Sequence, residues 1–387
     1  MEIPLIFPNP KMKKYRIALV TDTIFQFGGA HRFLMCLKKI FPEADIFTAF
    51  YEPKNFVEFE KEMKDWKIIT PKIDTPFFRK IFGSHYTIIS PLIFESFHFD
   101  NYDLIISMSA GASKGIITPA TSKHISIILT PIRYHWKIDD TNYYIKNVKT
   151  RKLLKLPLFF IDSLIRIWDY NSAQRADEII SISESVKSLV KSIYNRDSIV
   201  IHPPVELPSQ IQSKNSINFE YYISWSRLYP YKRIDLAIQA CNKLKKHLII
   251  IGTGPEEKQL RKIANISEYI HFLGWVPDNE LYNYVNHAKA FIFSGIEDFG
   301  LVMVESILLG TPVIAYKKGG AIDIVRENET GLFFEEQEVI SIESCINMLE
   351  QANWLVKGRI KKEYIEKETV RFSVSEFRKS LEKIIDL

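Results

Sequence analysis

The chain is poor in cysteine. Cys36, Cys241 and Cys345 are the only three in 387 residues, odd in number and far apart. That excludes a disulfide framework or a paired-cysteine zinc site and fits a reducing cytosol. The nine histidines show no His-x3-His or His-Glu-x2-His spacing, and no Asp-x-Asp pair occurs. A metal site is therefore not expected. No apolar run approaches the roughly 20 residues of a membrane-spanning helix. The longest, 156–165, is interrupted by Pro157 and Asp162. Residues 1–14 are proline-broken and lack an apolar core with a cleavage site, so no signal peptide is expected. The net charge of +5 is too mild for a dedicated nucleic-acid binder.

What remains is a globular composition, 46% hydrophobic and 25% charged, at a length that favours two or three domains. The first half opens with a strand at 16–20, a Gly28-Gly29 loop and a helix over 31–40. Strand-like runs recur at 46–50, 104–107, 125–129 and 178–182, and 184–194 reads as a helix. His202-Pro203-Pro204 stiffens the chain and marks a domain exit. The stretch 209–216 is polar loop.

A second alternation follows, with strands at 222–224, 247–251, 270–273, 290–293 and 312–315. Helical spacing falls at 234–244, 256–264, 279–287 and 301–309. This βαβ rhythm implies an α/β fold of two Rossmann-like domains, each a parallel sheet covered by helices, facing across a cleft. The expected division is 1–205 and 206–369.

The most informative stretch is Glu297-Asp298-Phe299-Gly300-Leu301-Val302-Met303-Val304-Glu305, between the strand Phe291-Ile292-Phe293 and the strand Val313-Ile314-Ala315-Tyr316. Glu297 precedes a turn, and Glu305 is expected two turns into a helix. Carboxylates accept hydrogen bonds from paired sugar hydroxyls. The helix start between them, at Phe299, Gly300 and Leu301, favours an anion such as a diphosphate. Acids near a helix start also simply complement its dipole. The βαβ setting gives the spacing its weight, because open α/β sheets bind ligands at this edge.

Arg227 and Lys232 flank Pro230 directly after a buried strand, where fixed cations would meet the charge of a departing diphosphate. Gly28 and Gly29 follow the first strand, and Asp22 ends it. Asp22 reads equally as a polar loop residue or an acceptor contact. Gly252-Thr253-Gly254 is a truncated dinucleotide fingerprint whose third glycine position holds Glu257, which discounts NAD. Trp275 and Val276 could frame a base, with core packing a strong competitor for Trp275.

These residues resemble the acid-x7-acid and Arg-x4-Lys signatures of retaining glycosyltransferases of the GT-B fold, family 4. The Gly28-Gly29 pair, Tyr102-Asp103-Leu104-Ile105-Ile106-Ser107, Thr130-Pro131-Ile132-Arg133-Tyr134 and His202-Pro203-Pro204-Val205 also match, over about 17–331. The resemblance is strongest to mannosyltransferase-like enzymes. It implies transfer of a hexose from a nucleotide-diphosphate sugar, with GDP-mannose favoured, to a glycan or lipid-linked glycan. Glu297 would grip the sugar, Glu305 the ribose, and Arg227 and Lys232 the diphosphate. Gly252, Gly254, Trp275 and Val276 would border the nucleotide, and Asp22, Leu129 and Arg133 the sugar or acceptor. The last helix, about 370–387, would cross back to the first domain. No cofactor and no metal is implied, since the missing Asp-x-Asp is replaced by fixed cations.

Two departures stand out. Leu129 occupies the place of a histidine that in relatives touches the donor sugar near its O6, and His31 replaces a glutamate. Leucine packs against a methyl group, so a 6-deoxy donor is one expectation. His31 or His135 supplying the imidazole is another. Lys146, Lys149, Arg151, Lys152 and Lys155 precede an apolar stretch and suit an anionic membrane face or a solvated surface alike. The expected location is cytoplasmic, at most peripheral to the membrane. The rival readings are a nucleotide-sugar 2-epimerase and a non-catalytic sugar-nucleotide-binding partner subunit.

Overall fold

The computed structural model describes residues 15–25, 28–82, 88–136, 138, 155–208 and 217–386. Seven strands form one sheet: β1 (Ile17–Thr21), β2 (Asp45–Thr48), β3 (Ile68–Ile69), β4 (Leu104–Ser109), β5 (Lys123–Ile128), β6 (Glu178–Ser181) and β7 (Ile199–Val200). Their order is β3-β2-β1-β4-β5-β6-β7, all parallel. A second sheet holds β8 (Tyr221–Trp225), β9 (His247–Ile251), β10 (Ile270–Gly274), β11 (Phe291–Phe293), β12 (Val313–Tyr316) and β13 (Gly331–Phe334). Its order is β10-β9-β8-β11-β12-β13, again all parallel.

Both sheets are built from strands such as Ile17-Ala18-Leu19-Val20 and Leu248-Ile249-Ile250-Ile251, buried along their length. Parallel strands covered on both faces need such continuous apolar runs. Helices supply the cover: Gly29–Ile40 and Glu184–Tyr194 on the first sheet, Ile234–Leu244 and Val339–Glu350 on the second. Ser183 caps the helix Glu184–Tyr194 by accepting from the Val186 N–H, and Asn195 ends it in a left-handed conformation.

Contacts divide the chain between His202 and Pro203. The last residues, from Ser380, cluster with the first unit, and Lys123 Nζ donates to the Ile384 carbonyl at 2.5 Å. Each unit is a Rossmann-like α/β domain. In each, strand order reverses beside its first strand, at β1/β4 and at β8/β11, and this reversal sets the binding edge.

The sequence reading placed most strands within one or two residues. It missed the short β3 and β7, β13, and the helices Lys155–Ser172 and Val339–Glu350, the first of which begins at the last residue of the basic cluster. Within that cluster, Lys146, Lys149, Arg151 and Lys152 lie outside the described residues, as does the polar stretch 209–216. Among the described residues no helix is long and apolar enough to cross a membrane.

Candidate functional site

In the second unit the β8/β11 reversal brings two loops together. The β8 loop carries Arg227 and then a 3-10 turn, Pro230–Lys232, begun by its proline and closed by Arg233 in a left-handed conformation. The turn drives Lys232 inward, leaving it 7% exposed. Its ammonium forms an ion pair with Glu297 Oε1 on the β11 loop. It also lies over the rings of Tyr231 and Phe293, at 5.1 and 5.5 Å. Arg227 stays exposed, its guanidinium 5.4 Å over the Tyr229 ring. Two of the expected diphosphate and sugar contacts therefore sit at one point.

The loops meet backbone to backbone. A Cβ on Gly295 would lie 2.7 Å from the Tyr231 carbonyl and 2.8 Å from Lys232 Cα. Gly320, after β12, donates its N–H to the Glu297 carbonyl at 2.8 Å. A Cβ there would fall 2.1 Å from the Phe299 carbonyl. Only glycine permits this approach. Gly319-Gly320 thus clamps the acidic loop, and the sequence reading took it merely as a loop. The signal was present: a glycine pair after a buried strand, the same cue that drew attention to Gly28-Gly29.

Gly300, left-handed at φ 102°, starts the helix Leu301–Leu308. Glu305 is therefore one turn into that helix, not two. It is 3% exposed, and Tyr282 donates its hydroxyl to Oε1 at 3.3 Å. Phe299 is buried against Phe372, with ring centroids 5.9 Å apart. At the neighbouring strand ends, Gly252 (φ 129°) packs on the Ser226 carbonyl and donates to the Gly274 carbonyl at 2.7 Å. Gly254 packs equally closely on Leu228. Core packing of Trp275 is corrected: the indole is 65% exposed, and Val276 beside it is partly buried. Two buried polar atoms at these strand ends, Trp225 Nε1 and Ser294 Oγ, have no hydrogen-bond partner among the described residues.

The remaining candidates belong to the first unit. Asp22 accepts backbone N–H bonds from Ala110 and Ser113, at 2.7 and 2.8 Å, so it braces the loop after β4. Burial raises its carboxyl pKa, against those bonds. Gly28 precedes the helix Gly29–Ile40 in extended backbone, and among the described residues a Cβ there would meet nothing within 4 Å. Leu129 is half-buried after β5, and its N–H donates to the Ser109 carbonyl. Arg133 opens the short helix Arg133–Trp136.

Both imidazoles considered for the sugar are held by the protein. His31 Nε2 is 2.9 Å from the Thr23 carbonyl, and burial lowers its pKa. His135 Nδ1 is 2.6 Å from Asp162 Oδ1, while its buried Nε2 has no hydrogen-bond partner among the described residues. Among the described residues no group of three or more His, Cys, Asp or Glu could hold a metal ion.

Residues 209–367 match the family model of glycosyl transferases group 1. The chain is 31% identical over 139 residues to a GDP-mannose-dependent alpha-(1-6)-phosphatidylinositol monomannoside mannosyltransferase of Mycobacterium tuberculosis, covering 31% of this chain and 36% of that protein. It is 32% identical over 142 residues to a D-inositol 3-phosphate glycosyltransferase of Acidothermus cellulolyticus, covering 32% of each. The chain thus spans about a third of the length of these curated relatives. In fold it is similar to Anabaena HepE in complex with UDP-glucose, with a TM-score of 0.67 and 17% identity, covering 96% of this chain and 99% of that one. Sucrose-phosphate synthase from Thermosynechococcus elongatus gives a TM-score of 0.66 at 15% identity, covering 96% and 98%. The two parallel-sheet units are those of the GT-B fold. The matched segment holds the Lys232–Glu297 pair, and together with the relatives it supports a GT-B glycosyltransferase.

Proposed function

We propose that this protein is a retaining hexosyltransferase acting on a nucleotide-diphosphate sugar. The observation that carries the reading is the Lys232–Glu297 pair at the β8/β11 reversal, the edge where open α/β sheets bind ligands. A buried ammonium beside a part-exposed carboxylate offers one group for a diphosphate and one for sugar hydroxyls. GDP-mannose is the favoured donor, because three of the relatives are named as GDP-mannose-dependent enzymes. UDP-glucose follows from the HepE complex, and a 6-deoxy sugar from Leu129. The acceptor is a glycan or lipid-linked glycan.

In this mechanism Glu297 grips the hexose, helped by backbone at Phe299, Gly300 and Leu301. Glu305 holds the ribose. Trp275, Val276, Gly252 and Gly254 frame the nucleotide. The bond between the anomeric carbon and the phosphate oxygen breaks, and Lys232 and Arg227 stabilise the charge that gathers on the diphosphate. The acceptor hydroxyl attacks from the same face. Its proton passes to the departing phosphate oxygen, so configuration is retained without a protein nucleophile.

The test is a panel of GDP-, UDP- and dTDP-sugars, including 6-deoxy forms, offered to the purified protein while nucleoside diphosphate release and donor binding are measured. One donor should be turned over, with the product keeping the donor's anomeric configuration and EDTA without effect. Failure of every donor to bind would refute the reading.

A further inference from the structure

Two imidazoles face each other at the edge of the second sheet. His247 opens β9, and His271 is the second residue of the edge strand β10. The strands run parallel, so both rings sit near their N-terminal ends. Gly252, Gly274 and the Glu297 loop lie at the opposite, C-terminal edge. His247 Nδ1 is 3.1 Å from His271 Nε2. Phe219 stacks on both rings, with centroids 4.1 and 5.0 Å away, and Tyr269 packs beside His247 at 5.3 Å. Both histidines are half-buried. Among the described residues, the one hydrogen bond of either ring is to the other ring. The two are 24 residues apart, so no histidine spacing along the chain shows them as a pair.

A hydrogen bond between neutral imidazoles uses the N–H of one ring and the lone pair of the other. When the donating ring carries its proton on its far nitrogen instead, both facing nitrogens present lone pairs. Two imidazole nitrogens on one tetrahedral zinc, each about 2.0–2.1 Å from it, stand about 3.3 Å apart. The observed 3.1 Å is close to that, so a small tilt of the rings brings both lone pairs to one ion. We propose that His247 and His271 form a two-imidazole site for a borderline divalent ion, Zn²⁺ or Cu²⁺, with water completing its coordination. The stacked Phe219 and the two strands already confine the rings, so binding orders little that is mobile. Burial and the neighbouring His247 hold His271 below the ordinary histidine value, which keeps it neutral and available as a ligand at pH 7. The ion would tie the edge strand β10 to β9. Nothing in this pairing depends on which donor Glu297 takes, and EDTA would strip the ion without touching that site.

The test is calorimetric titration of the full-length protein with Zn²⁺ at neutral pH, against His247→Gln, His271→Gln and the double variant. The parent should bind one ion at least about ten-fold more tightly than either single variant, because the second imidazole acts at high effective concentration. Zn²⁺ should raise the urea midpoint of the parent and leave that of the double variant unmoved. In metal-free buffer all four proteins should bind donor alike. One equivalent of Cu²⁺ should show the paramagnetic-resonance splitting of two imidazole nitrogens in the parent, and each single variant should lose it. Should a variant fold poorly, the copper spectrum of the parent decides alone. Equal zinc affinity in the parent and the double variant, no binding at all, or a copper spectrum without two nitrogens would each overturn the proposal and leave the pair as a hydrogen bond between strands.

Discussion

Lys232 and Glu297 close an ion pair across two loops that leave neighbouring strands of one sheet. Neither residue is fixed by its own loop alone. The ammonium is buried over two rings, while the carboxylate keeps a quarter of its surface exposed. A pair so placed organises the site before any ligand arrives, and a bound diphosphate and sugar would compete for its two halves.

Glu297→Gln and Lys232→Ala should each lower donor turnover by about 10²–10³-fold, the range for losing one preorganised charge contact. Lys232→Ala leaves a partly solvated carboxylate. Glu297→Gln leaves a buried ammonium, so it should cost more stability, toward the lower end of about 3–5 kcal/mol for a broken buried pair. Nucleoside diphosphate release and urea midpoints measure the two effects separately. Full turnover in Glu297→Gln would remove the carboxylate from the mechanism.

Gly320→Ala tests the clamp. The added methyl would sit 2.1 Å from the Phe299 carbonyl, and backbone on both sides cannot yield cheaply. The acidic loop must then shift, at a cost of order 1–3 kcal/mol. Turnover should fall with stability. Gly28→Ala is the contrast: with nothing among the described residues within 4 Å of its Cβ, it should leave the melting temperature unchanged. A loss of donor binding in Gly28→Ala would then report on the ligand rather than on the fold.

His124 sets a pH dependence. It is fully buried on β5, its Nε2 is 2.9 Å from Ser107 Oγ, and its Nδ1 has no hydrogen-bond partner among the described residues. Burial pushes its pKa down to about 4, with Arg175 acting in the same direction and Asp177 against. The unfolded chain takes up this proton near the ordinary histidine value of 6.5, and the folded chain near 4. The contribution is therefore fully present above about pH 6.5 and is lost as pH falls toward 4, by at most about 3 kcal/mol. His31 and His271, also lowered, add to this slope. Asp22 and Asp74, raised by burial, oppose it at lower pH. Urea midpoints at pH 7.5, 6 and 5 should decline in the parent and flatten in His124→Gln. A flat parent profile would contradict the buried neutral imidazole.

Much of this was legible because parallel sheets need continuous apolar strands. His247–Ile251 and the helix Ile234–Leu244 were read with their observed bounds for that reason. The acidic loop was legible through Gly300, whose left-handed backbone starts the helix. What escaped were properties of pairs distant in sequence. The closure of Gly319-Gly320 on Glu297 and Phe299 depends on two loops meeting. The helix Lys155–Ser172 escaped because its acids are held by Lys114, Trp136, Tyr194 and His135, which a local pattern cannot show. Asp22, open between two roles in the sequence, accepts from Ala110 and Ser113 in the loop after β4, a contact nearly ninety residues away that no local pattern shows.

Trp275 offers the remaining prediction. An indole 65% exposed after β10 contributes little to the fold, so Trp275→Ala should change stability by no more than about 0.5 kcal/mol. If the indole lies against the nucleotide, the same change should weaken donor binding by about ten-fold, since aromatic–base stacking is worth roughly 1–3 kcal/mol. Trp275→Phe keeps a stacking face and should recover most of the loss. Binding isotherms for the three proteins against the preferred nucleoside diphosphate alone, without sugar, isolate this contact from Glu297. Equal affinity in all three would place the base elsewhere along the strand ends, leaving Gly252 and Gly254 as its nearest candidates.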